Sequence, residues 1–203
     1  MHFNSTILLK AHTDIASAFS SPFIEKRLSE IKGQKNKNAF LGSILADPNA
    51  VILNETNGHK TTLLPGNKGP KTSTWEQTKQ MAFELNNNGI DVVFLPEPPY
   101  DISADSLIKI GNVFRIADFK YCITSKSNTL AKDLKHGFEQ AKTIVLKLTK
   151  TDVGMLSKAL DYLLRNEILY GDIVLINKYG KTTTITRRDI KNKSYIKKLK
   201  GFL

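Results

Sequence analysis

A run of alternating residues around Gly111-Asn112 constrains the fold of this chain more than any other stretch. Apolar residues lie on both sides of this two-residue step, within residues 105–120. Two apolar runs joined by such a step predict a β-hairpin. Antiparallel pairing then brings Asp105, at the entry of the first strand, beside Asp118 and Lys120 at the exit of the second. Because side chains alternate along a strand, Asp118 and Lys120 should share one face.

The order of the other elements predicts an α/β (α+β) fold with a mixed β-sheet flanked by helices. A helix before a buried strand, the hairpin, a second helix and another strand make an α-β-β-β-α-β core. A further helix and a closing hairpin follow this core as α-β-β. We place a domain boundary near residue 70. Residues 1–70 are then an N-terminal appendage of unknown role, and residues 71–203 are the main domain, which ends in a basic C-terminal tail.

The charge of the chain is unevenly distributed. The formal net charge is +11, and residues 1–100 hold 10 Lys/Arg and 9 Asp/Glu while residues 101–203 hold 20 and 10. Such an excess in one half predicts a polyanionic partner, which we expect to be nucleic acid and not a membrane. A solvated basic surface without a polyanionic partner is the alternative interpretation.

The hairpin residues suit phosphodiester hydrolysis, which needs a cation on the phosphate oxygens and a positioned water. Asp105 and Asp118 are predicted ligands of a hard cation, Mg²⁺ or Mn²⁺ ahead of Zn²⁺. Lys120 could hold or help deprotonate the water and offset charge on the phosphate. Glu76, on the first predicted helix of the core, could reach the same cation as a ligand or base. Gln140 could bind a phosphate or orient Lys120, or it could be an ordinary polar residue near a helix end.

These motifs resemble the PD-(D/E)xK nuclease superfamily, in which an acid, a hairpin and an acid-x-Lys follow one another. A closer resemblance is to the C-terminal tRNA-cleaving domains of contact-dependent growth inhibition toxins and related polymorphic or phage-borne toxins. Over about residues 70–150 the chain shares with them Glu76, the strand 89–96 ending in Leu-Pro, the acid hairpin, and Gln140-Ala141 before an apolar strand. Ala104 stands where such nucleases usually have proline before the first acid.

The resemblance implies a divalent-metal-dependent nuclease that hydrolyses RNA, tRNA in particular, or DNA, as a toxin or mobile-element effector. It also implies an acidic immunity protein as a partner, on the basic face of the chain. We expect the protein to act in the cytoplasm and leave secretion or delivery open.

Two alternatives stay open. In the first, the protein is a metal-independent toxin RNase that makes the 2′-OH of RNA the nucleophile, with His136 and Lys120 for acid–base chemistry. In the second, it is a basic nucleic-acid-binding protein without catalysis, and Asp118 and Lys120 form a surface ion pair of small energetic value.

Several basic residues outside the hairpin are candidate nucleic-acid ligands. Those in the C-terminal tail would add salt-dependent affinity if they faced the site, and otherwise the tail would be frayed. The histidines and the single cysteine lack the spacing of a zinc site. The candidate nucleic-acid-binding residues are Lys126, Lys135, Arg187, Arg188, Lys191 and Lys193.

Overall fold

The computed structural model describes residues 19–97, 104–150 and 152–203. In these residues eight strands form one mixed sheet, and seven α-helices flank it, which confirms the predicted fold class. The strands are β1 (Val51–Thr56), β2 (His59–Leu63), β3 (Ile90–Phe94), β4 (Ser106–Ile110), β5 (Val113–Cys122), β6 (Thr143–Leu148), β7 (Asp172–Ile176) and β8 (Thr182–Ile185). The helices are α1 (Ser21–Glu30), α2 (Gln34–Leu45), α3 (Trp75–Asn87), α4 (Ser127–Gln140), α5 (Val153–Arg165), α6 (Arg187–Lys191) and α7 (Tyr195–Leu199), with a short 3₁₀ turn at Gly69–Lys71.

The strands lie in the sheet in the same order as in the chain. The pairs β2–β3, β5–β6 and β6–β7 are parallel, and the other four neighbouring pairs are antiparallel. A parallel pair needs a crossover connection, and α3, α4 and α5 provide the three that this sheet requires. The predicted order α-β-β-β-α-β followed by α-β-β is the order observed from α3 to β8.

Alternation along the strands sends apolar side chains to both faces of the sheet. On β3, Val92 and Phe94 pack in the cluster that includes residues of α3, while Val93 and Leu95 pack in the cluster that includes residues of α1 and α2. A third cluster joins α4 and α5 to β6 and β7. Burial of both faces explains why β6, whose six residues are all buried, is an almost uninterrupted apolar run.

The described part of the predicted appendage belongs to the same sheet. Thr61 of β2 pairs with Val92 of β3, and the Thr61 hydroxyl also donates to the buried Asn86 side chain of α3 (2.7 Å). Asn54 of β1 donates to the same Asn86 oxygen (2.8 Å). The boundary near residue 70 stays a prediction about domain organisation, and the first 18 residues of the appendage lie outside the described residues.

The basic tail is folded onto the domain. Thr186 caps α6 in a capping box with Asp189, in which each side chain accepts a hydrogen bond from the other's backbone N–H. In α7, Tyr195 and Leu199 are fully buried in the cluster with α4 and α5, and the Tyr195 hydroxyl donates to Ser157 Oγ (2.8 Å). The expectation of a frayed tail is therefore wrong, because two buried side chains anchor the segment.

Across the described ranges, no helix combines the length and the apolar character that crossing a membrane requires.

Candidate active site at the exposed end of β5

The predicted hairpin is confirmed, and it leaves one end of β5 extending beyond β4. The pairing of β4 with β5 ends at Ser106 and Ala117, whereas β5 continues to Cys122. Just beyond the last pair, the backbone N–H of Phe119 donates to Oδ2 of Asp105 (2.9 Å). The Asp105 carboxylate thus takes the place of a further rung of the ladder, which fixes it beside the next residues of β5.

Asp118 is buried beneath α4, with only 1% of the residue exposed. Gly137 makes this close approach possible, because a Cβ at that position would lie 3.0 Å from Oδ2 of Asp118 and 2.9 Å from Cδ1 of Ile144. Burial first, and then the neighbouring charge of Asp105, raise the pKa of Asp118 to about 8 against the opposing charge of Lys120. With no cation bound, Asp118 is therefore mostly protonated at neutral pH.

Lys120 is held between two side chains. Its Nζ lies 2.7 Å from Oδ2 of Asp118 and donates a hydrogen bond to Oε1 of Gln140 (3.1 Å). This oxygen of Asp118 is buried, and Lys120 and Asp105 are the charged groups that act on its carboxyl group. Asp105, Asp118, Lys120 and Gln140 are thus brought together as the sequence predicted, and their chemical roles stay a proposal.

These residues line a cleft of about 350 Å³. Trp75 lies in its wall and packs edge-to-face on Phe94, with ring centroids 4.9 Å apart, so it serves both the core and the cleft. The side chain of Asn67 supports the opposite loop by donating to the carbonyl of Leu95. Other side chains that reach the cleft are Thr78, Glu97, Phe119 and Tyr121.

Glu76 lies outside this cleft. Its side chain is 77% exposed, and its carboxylate pairs with Lys79 at 2.7 Å. One residue along an α-helix is a rotation of about 100°, so when Trp75 faces the sheet Glu76 faces solvent. The structure therefore gives Glu76 no contact with the other predicted site residues.

Two acidic residues near the cleft were not expected from the sequence. Glu97 follows β3 and lines the cleft, because Phe94 of β3 pairs with Ser106, the residue next to Asp105. The signal for Glu97 was an acid directly after a strand that neighbours the hairpin. Asp133 of α4 is half-buried, and its pKa is raised because burial outweighs the opposing charges of Lys120 and His136. The effect of Lys120 shows that Asp133 and Lys120 lie within electrostatic reach of each other.

The candidate nucleic-acid ligands lie apart from the cleft. Lys126, Arg188 and Lys191 are exposed at other positions, Lys135 approaches Glu139 (3.9 Å), and Lys193 pairs with Asp161 (3.4 Å). None of these five lines the cleft. Arg187 instead lines a second cavity at the starts of β6 and β7.

The residues present fit a hard cation held by few protein ligands. In the part of the chain that the structure describes, no three His, Cys, Asp or Glu side chains are grouped so that they could hold a metal ion. Asp105 and Asp118 are nevertheless adjacent, and their carboxyl groups are the hard oxygen donors that such a cation prefers. Mg²⁺ usually keeps several waters and binds one or two carboxylates together with substrate phosphates. Two carboxylates in an open cleft match that description.

Comparisons with known proteins yield little. Neither a protein-family model nor a curated protein matches the chain. A solved chain of the CdiA-CT/CdiI toxin and immunity complex from Burkholderia pseudomallei is similar over 58% of this chain and 87% of that chain, with 24% identity and a TM-score of 0.44. Membership of the PD-(D/E)xK superfamily stays an expectation from the motifs.

Proposed function

We propose that this protein is a divalent-metal-dependent nuclease whose cleft is built around Asp105, Asp118 and Lys120. The observation that carries the proposal is the buried Asp118 carboxyl group, which lies in a cleft beside a second carboxylate and the Lys120 ammonium. Such an arrangement is costly in a fold, and strongly perturbed acids in a cleft are typical of functional sites. A structural ion pair would need neither the second carboxylate nor the cleft.

The side chains have separate tasks in this proposal. Asp105 and Asp118 would hold Mg²⁺ or Mn²⁺, which supplies Lewis-acid polarisation of the phosphate when bound. To act as a ligand, Asp118 must give up the proton that burial favours. Lys120, held in place by Gln140, would orient the attacking water and offset the charge that develops on the phosphate.

The substrate in this proposal is nucleic acid, RNA or DNA. The net charge of +11 favours a polyanion, and cation-assisted hydrolysis suits its phosphodiester bonds. Transfer RNA is the substrate that the sequence resemblance favours, and it is the narrower part of the proposal.

The test is cleavage of total tRNA and of plasmid DNA with Mg²⁺, with Mn²⁺ or with EDTA. Wild type is compared with Asp118→Asn, which keeps the shape of the side chain, and with Asp161→Asn, a matched change at an exposed ion pair on α5. We expect metal-dependent cleavage by wild type and Asp161→Asn, and a loss of at least about 100-fold in Asp118→Asn.

Three results would overturn the assignment. Full activity of Asp118→Asn would show that the Asp118 carboxylate is not needed for cleavage. Cleavage in EDTA that leaves a cyclic phosphate would favour the metal-independent RNase, whose candidate His136 lies on the exposed face of α4 and pairs with Glu139 (3.2 Å). Absence of cleavage under every condition would favour a nucleic-acid-binding protein.

The proposal extends to a toxin role with an acidic immunity protein as inhibitor. Its support is the sequence resemblance together with the positive charge, which would attract an acidic partner. Purification from the native host at low salt should then recover an acidic protein that blocks cleavage. Recovery of the active chain alone under those conditions would count against an immunity partner.

A further inference from the structure

A second cavity, of about 700 Å³, is lined in part by β5, the strand that also contributes to the candidate cleft. We call it the β5 groove. It lies where α1 approaches the starts of β6 and β7, and the residues that matter here are Phe114, Arg115, Ile116, Lys142, Tyr170 and Arg187.

The β5 groove continues the cleft along one face of one strand. Phe114 and Ile116 line the groove, while Asp118 and Lys120 line the cleft. These four residues alternate along β5 and therefore share a face, with Ile116 and Asp118 about 7 Å apart along the strand. The two cavities are thus lined by successive residues of one face of β5.

The rim of the groove combines cations with an exposed aromatic ring. Tyr170 is 54% exposed, and Lys142 and Arg187 are exposed residues of the same lining. Among the described residues neither Lys142 nor Arg187 has an ion-pair partner. An exposed aromatic ring together with unpaired cations is the combination with which proteins bind single-stranded nucleic acid, because bases stack on the ring and phosphates contact the cations.

The acidic residues of the groove do not cancel this charge. Asp172 is already engaged by the guanidinium of Arg115 and by the backbone N–H of Arg187 (2.8 Å). Arg115, whose guanidinium engages Asp172, keeps a buried Nε donor without a hydrogen-bond partner. Glu25 of α1 is the remaining acid in the lining.

We propose that the β5 groove holds the single-stranded segment of nucleic acid that flanks the scissile phosphate. One base stacks on Tyr170, and phosphates lie against Lys142 and Arg187. This inference rests on the proposed function, because only a nuclease has a scissile phosphate. The binding that it predicts is nevertheless measurable without cleavage.

The experiment measures the anisotropy of fluorescent single-stranded RNA and DNA oligonucleotides and of the matching duplexes, in EDTA, with full-length protein. The variants are Tyr170→Ala, Tyr170→Phe and the double variant Lys142→Ala/Arg187→Ala. The controls are Tyr179→Ala and Lys178→Ala, which alter a second exposed tyrosine (73% exposed) whose ring is 4.9 Å from a lysine Nζ, at the turn between β7 and β8. Thermal unfolding checks that each variant is folded.

We expect Tyr170→Ala to weaken single-strand binding about tenfold, and Tyr170→Phe to restore it, because stacking needs the ring and not the hydroxyl. The double variant should reduce the slope of log binding constant against log salt concentration, by the amount that corresponds to about two phosphate contacts. The controls should bind like wild type. Comparison of the RNA and DNA arms identifies the preferred strand.

Three outcomes would overturn the groove assignment. Tyr170→Ala could bind as tightly as Tyr179→Ala, or wild type could bind duplex as tightly as single strand. The third outcome is tight binding of polyglutamate that Tyr170→Ala weakens equally, which would indicate an acidic protein as occupant. Failure of the nuclease proposal is distinguishable, because wild type would then bind the strands through Tyr170 and leave them uncut.

Discussion

The Lys120 ammonium lies 2.7 Å from Oδ2 of Asp118, a residue that is only 1% exposed. An ion pair of this kind compensates burial only in part, because the Asp118 carboxylate still favours its protonated form. The protonation of Asp118 should therefore respond to a bound cation. A cation that reached Asp118 would displace its proton and leave Lys120 to contact water and phosphate. The four predictions below follow from this arrangement and from the packing that supports it.

The stability of the cation-free protein should fall as the pH rises from about 4 to about 8. Burial raises the pKa of Asp118 from 3.8 to about 8, so within this window the folded state binds more protons than the unfolded state. Stability then decreases with pH, by at most about 1.4 kcal/mol per pH unit for one proton. Urea unfolding in EDTA across the window measures this slope. Asp118→Asn should flatten it, and an identical slope in both proteins would contradict the raised pKa.

Glu97→Gln should reduce cleavage more than Glu76→Gln. The two changes are chemically identical, but Glu97 lines the cleft whereas Glu76 is exposed and paired with Lys79. We expect a loss of about tenfold or more for Glu97→Gln, as for removal of a charged group near reacting atoms, and a smaller change for Glu76→Gln. Initial cleavage rates with Mg²⁺ decide the ranking. The reverse ranking would restore Glu76 to the site.

Gly137→Ala should reduce cleavage although alanine is the better helix former. An added Cβ would lie within about 3 Å of Asp118 and Ile144, so α4 must move away from the carboxylate that it covers. Gly42→Ala in α2 is the matched control, because nothing lies within 4 Å of its Cβ. The control should gain about 0.5–1 kcal/mol of stability and keep full activity. Equal activity of the two variants would show that the cover over Asp118 is dispensable.

Lys147→Met should destabilise the fold by about 3–5 kcal/mol, because it leaves Glu84 half-buried without a counter-ion. The Lys147 ammonium of β6 contacts both oxygens of Glu84 on α3 at 2.6 Å, which ties that helix to the centre of the sheet. The double variant Lys147→Met/Glu84→Leu should recover much of the loss, since neither charge then stays unpaired. Urea unfolding of both variants measures the difference. A double variant less stable than Lys147→Met would mean that packing, and not charge, dominates the site.

The convergence of Asp105, Asp118 and Lys120 was determined by the sequence. A two-residue turn and the period of two are local properties, so antiparallel pairing brought these side chains together without knowledge of the rest of the fold. The order of helices and strands followed from the same local periodicities. Gln140 also accepts a hydrogen bond from Lys120, the contact that one of its three predicted possibilities requires.

Only the tertiary structure decided which other residues belong to the site. The packed face of α3 turns Glu76 away, Gly137 lets α4 bury Asp118, and the pairing of β3 with β4 brings Glu97 to the cleft. In the same way, the β5 groove joins Phe114 to Tyr170 and Arg187, which lie far from it in the chain. Periodicity specifies which elements form. The burial of an acidic side chain and the identity of its neighbours depend instead on how elements distant in the sequence pack together.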